Sequence, residues 1–211
     1  MPLPEQNHLR QFLLLIFVLL IPCFALWSFL SASLATPAIG LTHLVLENWF
    51  PDIVNLVYQQ GADAVLLTRF DEVGGQLVPT VAVDAGIGFQ TNTRVVSYLI
   101  PFYAALHFAT DKKNYLANFI WGMLILYPFI IVGLVSTFLK DLMVNLGPTF
   151  LEQSGVLVPA PDVIGIMYQL SVLIVPTLLP MLIWAWQNRE APLLQNLFRK
   201  ARGPGDQSAS P

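Results

Sequence analysis

Three residues of this chain could in principle perform chemistry together, namely Cys23, Arg94 and His107. A thiolate can attack a peptide bond while a histidine transfers the proton and an arginine stabilises the oxyanion, which would make the protein an intramembrane hydrolase. Cys23, however, lies near the middle of one apolar segment, whereas Arg94 and His107 lie about 20 Å apart along a helix in another. A general base must come within about 3 Å of its proton. We therefore expect no catalytic site from these residues.

Other kinds of reactive site also lack the residues that they need. The three histidines, His8, His43 and His107, fall on three different segments, and Cys23 is the single cysteine. We therefore expect no metal site and no cofactor. No glycine-rich stretch has the spacing and the lysine of a phosphate-binding loop. The net charge of -3 provides no basic face for nucleic acid.

The composition is that of an integral membrane protein. Apolar residues make up 55% of the 211 residues and charged residues 11%, about half the charged fraction of a soluble domain. The apolar segment 12–34 is longer than the roughly 7 to 15 residues of a signal-peptide core. It is also long enough to cross a hydrocarbon layer of about 30 Å. We therefore predict a retained transmembrane helix here.

The hydropathy pattern predicts a single domain, 1–211, with a mainly α-helical fold. We expect a four-helix integral membrane bundle with a small extracytoplasmic insertion at 36–94 between the first and second spans. The insertion is predicted to hold an amphipathic helix at 37–60 and a β-hairpin at 64–84, with Gly74 and Gly75 in its turn. The other predicted segments are spans at 11–35, 95–109, 115–139 and 163–186, an outer loop with a short helix at 140–162, and a cytoplasmic tail at 187–211.

The basic residues predict the orientation. Seven of the ten lysines and arginines fall in the two terminal segments and the turn at 110–114, and short loops rich in these residues face the cytoplasm. With four spans, both termini are then cytoplasmic, and the insertion is extracytoplasmic. The outer side also receives nine of the thirteen acidic residues, so we expect an acidic outer face. These residues are Glu47, Asp52, Asp63, Asp71, Glu72, Asp84, Asp141, Glu152 and Asp162.

Most of the candidate interaction residues lie where the chain re-enters the membrane, at 90–109. Arg94 is expected either to anchor this segment at the interface or to pair with a carboxylate, that of Asp84, of Glu47 or of a partner. Pro101 deprives the carbonyl four residues earlier of its donor and should kink the helix. The remaining candidate interaction or structural residues are Tyr98, His107 and Trp49.

The sequence resembles the exosortase H-associated membrane proteins, small bacterial inner-membrane proteins encoded beside an exosortase. The resemblance covers 14–109 and rests on PCFALW in the first span, WFPD in the insertion and NTRVVSYLIPFYAALHFA at the re-entry. Exosortases sort proteins that bear a C-terminal anchor, and they use a membrane-embedded Cys, Arg and His. This chain departs from that enzyme pattern in the placement of Cys23, Arg94 and His107. The resemblance therefore implies an accessory role and no catalytic residues.

Three functions follow as hypotheses. The first is a non-catalytic accessory protein that binds an exosortase-like membrane protein in protein sorting or envelope assembly. The alternatives are a small transporter or channel, lined by the proline-containing second and fourth spans, and an intramembrane hydrolase. Only the first makes use of the acidic outer face.

Overall fold

The computed structural model of the protein describes residues 5–80, 86–110 and 114–189, with side chains from Arg10 onward. Within these ranges, three helices are long and apolar enough to cross a membrane: Arg10–Trp49, Tyr115–Leu146 and Pro161–Gln187. The predicted membrane class and mainly helical fold are therefore confirmed. The elements are α1 Glu5–Trp49, β1 Val54–Gln60, β2 Asp63–Thr68, β3 Phe70–Val73, β4 Gln76–Pro79, β5 Gly88–Asn92, α2 Arg94–Ser97, α3 Leu99–Phe108, α4 Tyr115–Leu146, α5 Pro148–Leu151, α6 Pro161–Gln169, a π-helical turn Leu170–Ile174, and α7 Val175–Gln187.

Helix α1 is about twice as long as a membrane span. Its 45 residues extend about 67 Å, whereas the hydrocarbon layer is about 30 Å thick. No side chain in 17–30 is buried, as expected for a surface in lipid. From Ser31 onward, a buried residue recurs every three or four positions along one face. This buried stripe comprises Ser31, Ala35, Ala38, Ile39, Thr42 and Leu46.

The second half of α1 carries a small sheet. Strands β1, β2 and β5 pair antiparallel in the order β1-β2-β5, and β3 and β4 form a separate hairpin. Strand β1 runs back along α1, because the Val57 N–H donates to His43 Nδ1 (3.3 Å) and Gln59 Nε2 donates to the Ala32 carbonyl (2.8 Å). The turn between β1 and β2 is therefore near the membrane. The β3–β4 hairpin lies at the far tip, where β2 ends.

The end of α4 completes this extramembrane layer. Phe138, Leu142 and Leu146 on α4 are fully or almost fully buried in the same core as Phe50 and Phe150. The rings of Phe50 and Phe150 are 5.2 Å apart, which joins the end of α1 to α5. We refer to the described residues of 31–93 and 133–151 as the outer domain, a name that marks their position beyond the lipid-exposed part of α1 and not a side of the membrane.

The predicted helix at 37–60 is correct only as far as Trp49, and it is not separate from the first span. Helix α1 continues through Pro37 to Trp49, and the chain then forms β1. Pro37 removes only one hydrogen bond from a long helix whose buried face is held by the sheet, so it does not end the helix. The apolar residues at 53–57 fit a helix and a short buried strand equally well, because a run this short does not distinguish the two.

The predicted hairpin at 64–84 has the correct turn but largely different partners. Gly74 and Gly75 have φ angles of 62° and 81°, which a tight two-residue hairpin turn requires. The strands on either side of this turn, β3 and β4, have only four residues each. Strand β2, expected in the same hairpin, instead lies at the centre of the three-stranded sheet. Residues 81–85 lie outside the described part of the chain.

The predicted second span at 95–109 is a short, interrupted helix in the interior of the bundle. It is divided at Tyr98 into α2 and α3, three residues before Pro101, as expected from the hydrogen bond that this proline cannot donate. Helix α3 lies against α1, α4 and α7, and eight of its ten residues are buried. A helix covered by protein does not have to match the thickness of the lipid. It is not one of the three long apolar helices.

The predicted outer loop at 140–162 begins with helix. Helix α4 continues to Leu146 and is followed directly by α5, so the short helix predicted within this loop is divided between the two. The segment 115–146 is apolar enough to extend past a single span, and its last turns share a core with Phe50 and Phe150. Burial by the outer domain explains why the helix does not stop where the hydropathy falls.

Candidate functional site

Arg94 is the first residue of α2, where the chain passes from the sheet to the bundle. Its Nε donates to Ser31 Oγ (3.2 Å) and its Nη2 to the Ser28 carbonyl (3.4 Å), both on α1. The residue is nevertheless exposed. Arg94 therefore fastens α2 to α1 through serine groups, whereas Glu47 pairs elsewhere. Asp84, the other predicted partner, lies outside the described residues.

Tyr98 and Pro101 stand on either side of the interruption between α2 and α3. The Tyr98 hydroxyl donates to the Val172 carbonyl (3.3 Å), which lies in the π-helical turn. A π-helical turn displaces carbonyl groups from their normal i→i+4 pattern, so a hydroxyl donor from a neighbouring helix satisfies one of them. Pro101 is buried. The two irregular turns in the bundle thus face each other and are joined by one hydrogen bond.

His107 is fully buried in the last turn of α3. Its Nε2 lies 3.0 Å from the Tyr115 carbonyl oxygen and its Nδ1 3.5 Å from the Tyr103 hydroxyl oxygen, while its ring centroid is 5.4 Å from that of Phe119. The Tyr103 hydroxyl also donates to Gln187 Oε1 (2.8 Å). These contacts join α3 to the start of α4 and to the end of α7, which is a packing role.

The structure gives the three possible catalytic residues separate surroundings. The Arg94 guanidinium reaches Ser28 and Ser31, between one and about two helical turns beyond Cys23 on α1. His107 is enclosed by aromatic rings 13 residues further along the chain from Arg94. In the described ranges, no three His, Cys, Asp or Glu side chains are grouped so that they could hold a metal ion. Cys23, Arg94 and His107 are therefore not grouped as a nucleophile, an oxyanion donor and a base would be.

Glu47 and Trp49 connect parts of the outer domain. Glu47 Oε2 lies 3.3 Å from His43 Nε2, and the other ring nitrogen of His43 accepts the Val57 N–H of β1. The carboxylate therefore holds the imidazole in the orientation that covers the edge of the sheet. Trp49 Nε1 donates to the Leu157 carbonyl (3.0 Å) and so ties the end of α1 to the segment before α6.

The outer domain presents an excess of negative charge. Its described residues include six carboxylates and two basic side chains, Arg69 and Lys140. Lys140 is paired with the neighbouring Asp141. Asp52, Asp71 and Glu72 are exposed at the end far from the membrane. Such a surface attracts a partner with the opposite charge.

The family comparison extends over almost the whole chain. The model of the exosortase H-associated membrane proteins matches residues 6–191. This range includes nearly every described element, and it reaches well past the stretch 14–109 that carries the motifs. The chain belongs to this family. Searches of curated proteins and of solved structures gave no match.

Membership of the exosortase H-associated family accounts for the membrane class and links the chain by name to an exosortase, itself a membrane protein. Sequence patterns had located Arg94, Tyr98, Pro101 and His107 on one segment. They do not predict that His43 accepts the Val57 N–H or that the Tyr103 hydroxyl donates to Gln187. The i,i+4 spacing of His43 and Glu47 predicts that the two side chains can pair. The contact of His43 with β1 could not be predicted, because the sequence pattern does not predict β1.

Proposed function

We propose that this protein is a non-catalytic accessory subunit, and that its acidic outer domain binds an exosortase-like membrane protein in protein sorting or envelope assembly. The observation that carries the proposal is the excess of carboxylates on a domain built onto two helices that continue from the membrane segments. The family name supports the identity of the partner.

The outer domain is suited to hold a partner at a fixed distance from the membrane. From Ser31 to Trp49, α1 rises about 27 Å without interruption. Helix α4 rises beside it and contributes to the same core. Because the hairpin β3–β4 is attached to this frame, a protein bound there would be held in a set orientation to the bilayer. A scaffold of this kind requires no reactive group of its own.

We propose further that the chain crosses a bacterial inner membrane four times, with both termini in the cytoplasm. The short segment α2–α3 would be the second crossing. Support comes from its burial between α1, α4 and α7, which allows a helix of this length to run through the bundle without matching the lipid. The distribution of lysine and arginine supports the orientation.

A graded change of charge on the hairpin tests the binding role. Asp71 and Glu72 are both exposed, so Asp71→Asn/Glu72→Gln and Asp71→Lys/Glu72→Lys should leave the fold intact while removing and then reversing two charges. We expect the tagged protein, extracted in mild detergent, to retain less of its membrane partner at each step. Salt should weaken retention by the unmodified protein, because exposed charges are screened.

The matched control is the double reversal Glu152→Lys/Asp162→Lys, which changes the same amount of charge at exposed positions outside the hairpin. It should reduce retention less than the hairpin reversal. Equal retention by all of these variants and by the unmodified protein would refute the electrostatic role of the hairpin.

A further inference from the structure

The two edges of the three-stranded sheet differ. On the β1 side, the edge faces α1, and the outward N–H of Val57 is bonded to His43. Strand β5 forms the other edge of the sheet. It pairs with β2 on one side, and in the described part of the chain no strand lies on its other side. Natural sheets protect an open edge with proline, lysine, a bulge or a covering element. The sequence of β5, Gly-Phe-Gln-Thr-Asn, contains neither proline nor lysine.

The hydrogen bonds of β5 show which of its backbone groups point outward. The Thr68 N–H donates to the Ile87 carbonyl (3.0 Å), and the Thr93 N–H donates to the Ala62 carbonyl (3.2 Å). Antiparallel pairing alternates along a strand, so every second residue between these two pairs faces away from β2. These outward residues are Gly88, Gln90 and Asn92, and all three are exposed.

We infer that the open edge of β5 is a docking site for an extended, lysine- or arginine-bearing segment of another protein, which adds to the sheet as a fourth strand. This inference rests on the proposed accessory function and specifies how the partner is engaged. Strand addition draws its affinity from backbone hydrogen bonds, and the three outward residues offer three N–H and three C=O groups.

Charge favours a basic occupant over a second copy of this chain. Asp63 lies beside the edge, where its Oδ2 accepts a hydrogen bond from Gln90 Nε2 (2.7 Å). Arg94 is turned to α1 by its bonds to Ser28 and Ser31. Lys140 is paired with Asp141, whose Oδ2 accepts a hydrogen bond from Thr91 Oγ1 of β5 (3.3 Å). Two acidic outer domains placed edge to edge would repel each other, whereas lysine or arginine on the added strand would be attracted to this edge.

Peptide binding tests the inference on the full-length protein in lipid nanodiscs. The probes are two labelled peptides of alternating valine and threonine, one flanked by lysines and the other by glutamates. We expect the lysine-flanked peptide to bind at least about tenfold more tightly, as measured by fluorescence anisotropy. Gln90→Pro removes an outward N–H that the sheet does not use, so it should weaken binding about tenfold or more while the fold is kept. Gln90→Ala, which retains the N–H, should bind within about threefold of the unmodified protein.

Hydrogen exchange on the unmodified protein provides a readout that does not depend on a variant's folding. On addition of the lysine-flanked peptide, the outward amides at 88, 90 and 92 should become protected. The amides at 89 and 91, already bonded to β2, should change little. Absence of binding, equal binding of the two peptides, no effect of Gln90→Pro or unchanged outward amides would each overturn the inference. Co-purification of a membrane partner with the Gln90→Pro variant would refute strand addition and leave the accessory function standing.

Discussion

Gly122 on α4 is predicted to be a position where a single methyl group disrupts the bundle. A Cβ at this position would overlap the hydroxyl oxygen and the ring of Tyr103 on α3. Tyr103 is fully buried, and its hydroxyl donates to Gln187 Oε1 (2.8 Å) and approaches the Asn118 carbonyl (3.2 Å). The ring therefore cannot withdraw without losing these hydrogen bonds. Small residues at helix crossings in membranes allow this kind of close approach.

The expected size of the effect follows from three contributions. Overpacking a core costs about 1 to 3 kcal/mol, and each hydrogen bond given up costs about 1 kcal/mol. Replacing glycine by alanine within a helix recovers up to about 1 kcal/mol. Gly122→Ala should therefore lower the free energy of unfolding by about 1 to 4 kcal/mol. The assay is reversible unfolding in mixed detergent micelles at increasing fractions of dodecyl sulfate.

Gly40→Ala is the matched control, because a Cβ at position 40 of α1 would have no atom within 4 Å apart from the neighbouring backbone of its own helix. It should be neutral or stabilising by up to about 1 kcal/mol. In the double variant Gly122→Ala/Tyr103→Leu, the added methyl no longer meets the ring, so the combined loss should fall short of the sum of the single losses by at least about 1 kcal/mol. If Gly122→Ala proved as harmless as Gly40→Ala, or if the two changes were additive, the close contact of α3 with α4 would be refuted.

Two further predictions concern the outer domain and the membrane arrangement. His43→Ala should lower the free energy of unfolding by about 1 to 3 kcal/mol, because it leaves a backbone N–H of β1 without an acceptor. Glu47→Ala should lower it by no more than about 0.5 kcal/mol. Equal losses would contradict the role of His43 as the acceptor for β1. In a cysteine-free background, Gln90→Cys should react with a membrane-impermeant maleimide in intact spheroplasts, whereas Asn114→Cys should react only after permeabilisation. Equal labelling of the two variants in intact spheroplasts would refute the second crossing.

The membrane class and the approximate positions of the helices could be predicted from the sequence, because a long apolar segment is unfavourable in water and forms a helix in lipid, where its backbone groups must bond to each other. The full length of α1 could not be predicted from the sequence. The second half of α1 is amphipathic, and it is helical because the sheet buries one of its faces. The Gly74 and Gly75 turn was predictable because it requires positive φ. The pairing of β2 with β5 was not, because nothing local in 63–68 distinguishes a hairpin arm from a central strand.

The candidate residues show the same division between local and long-range information. Pro101 predicted the interruption at Tyr98, because the missing hydrogen-bond donor is a property of the residue itself. The partners of Arg94, by contrast, are two serines more than 60 residues earlier in the chain. Pairing with a carboxylate was one of two expectations for Arg94, the other being an anchor at the interface, but which group an arginine contacts depends on which helix packs beside it.

Affinity purification of the tagged protein from its native membrane, in mild detergent, tests the central claim most directly. The unmodified protein should bring down a second membrane protein in a fixed ratio, and the Asp71→Lys/Glu72→Lys variant should bring down much less of it. A protein that purifies alone under these conditions, from cells in which its deletion leaves the sorting of envelope proteins unchanged, would contradict the accessory role.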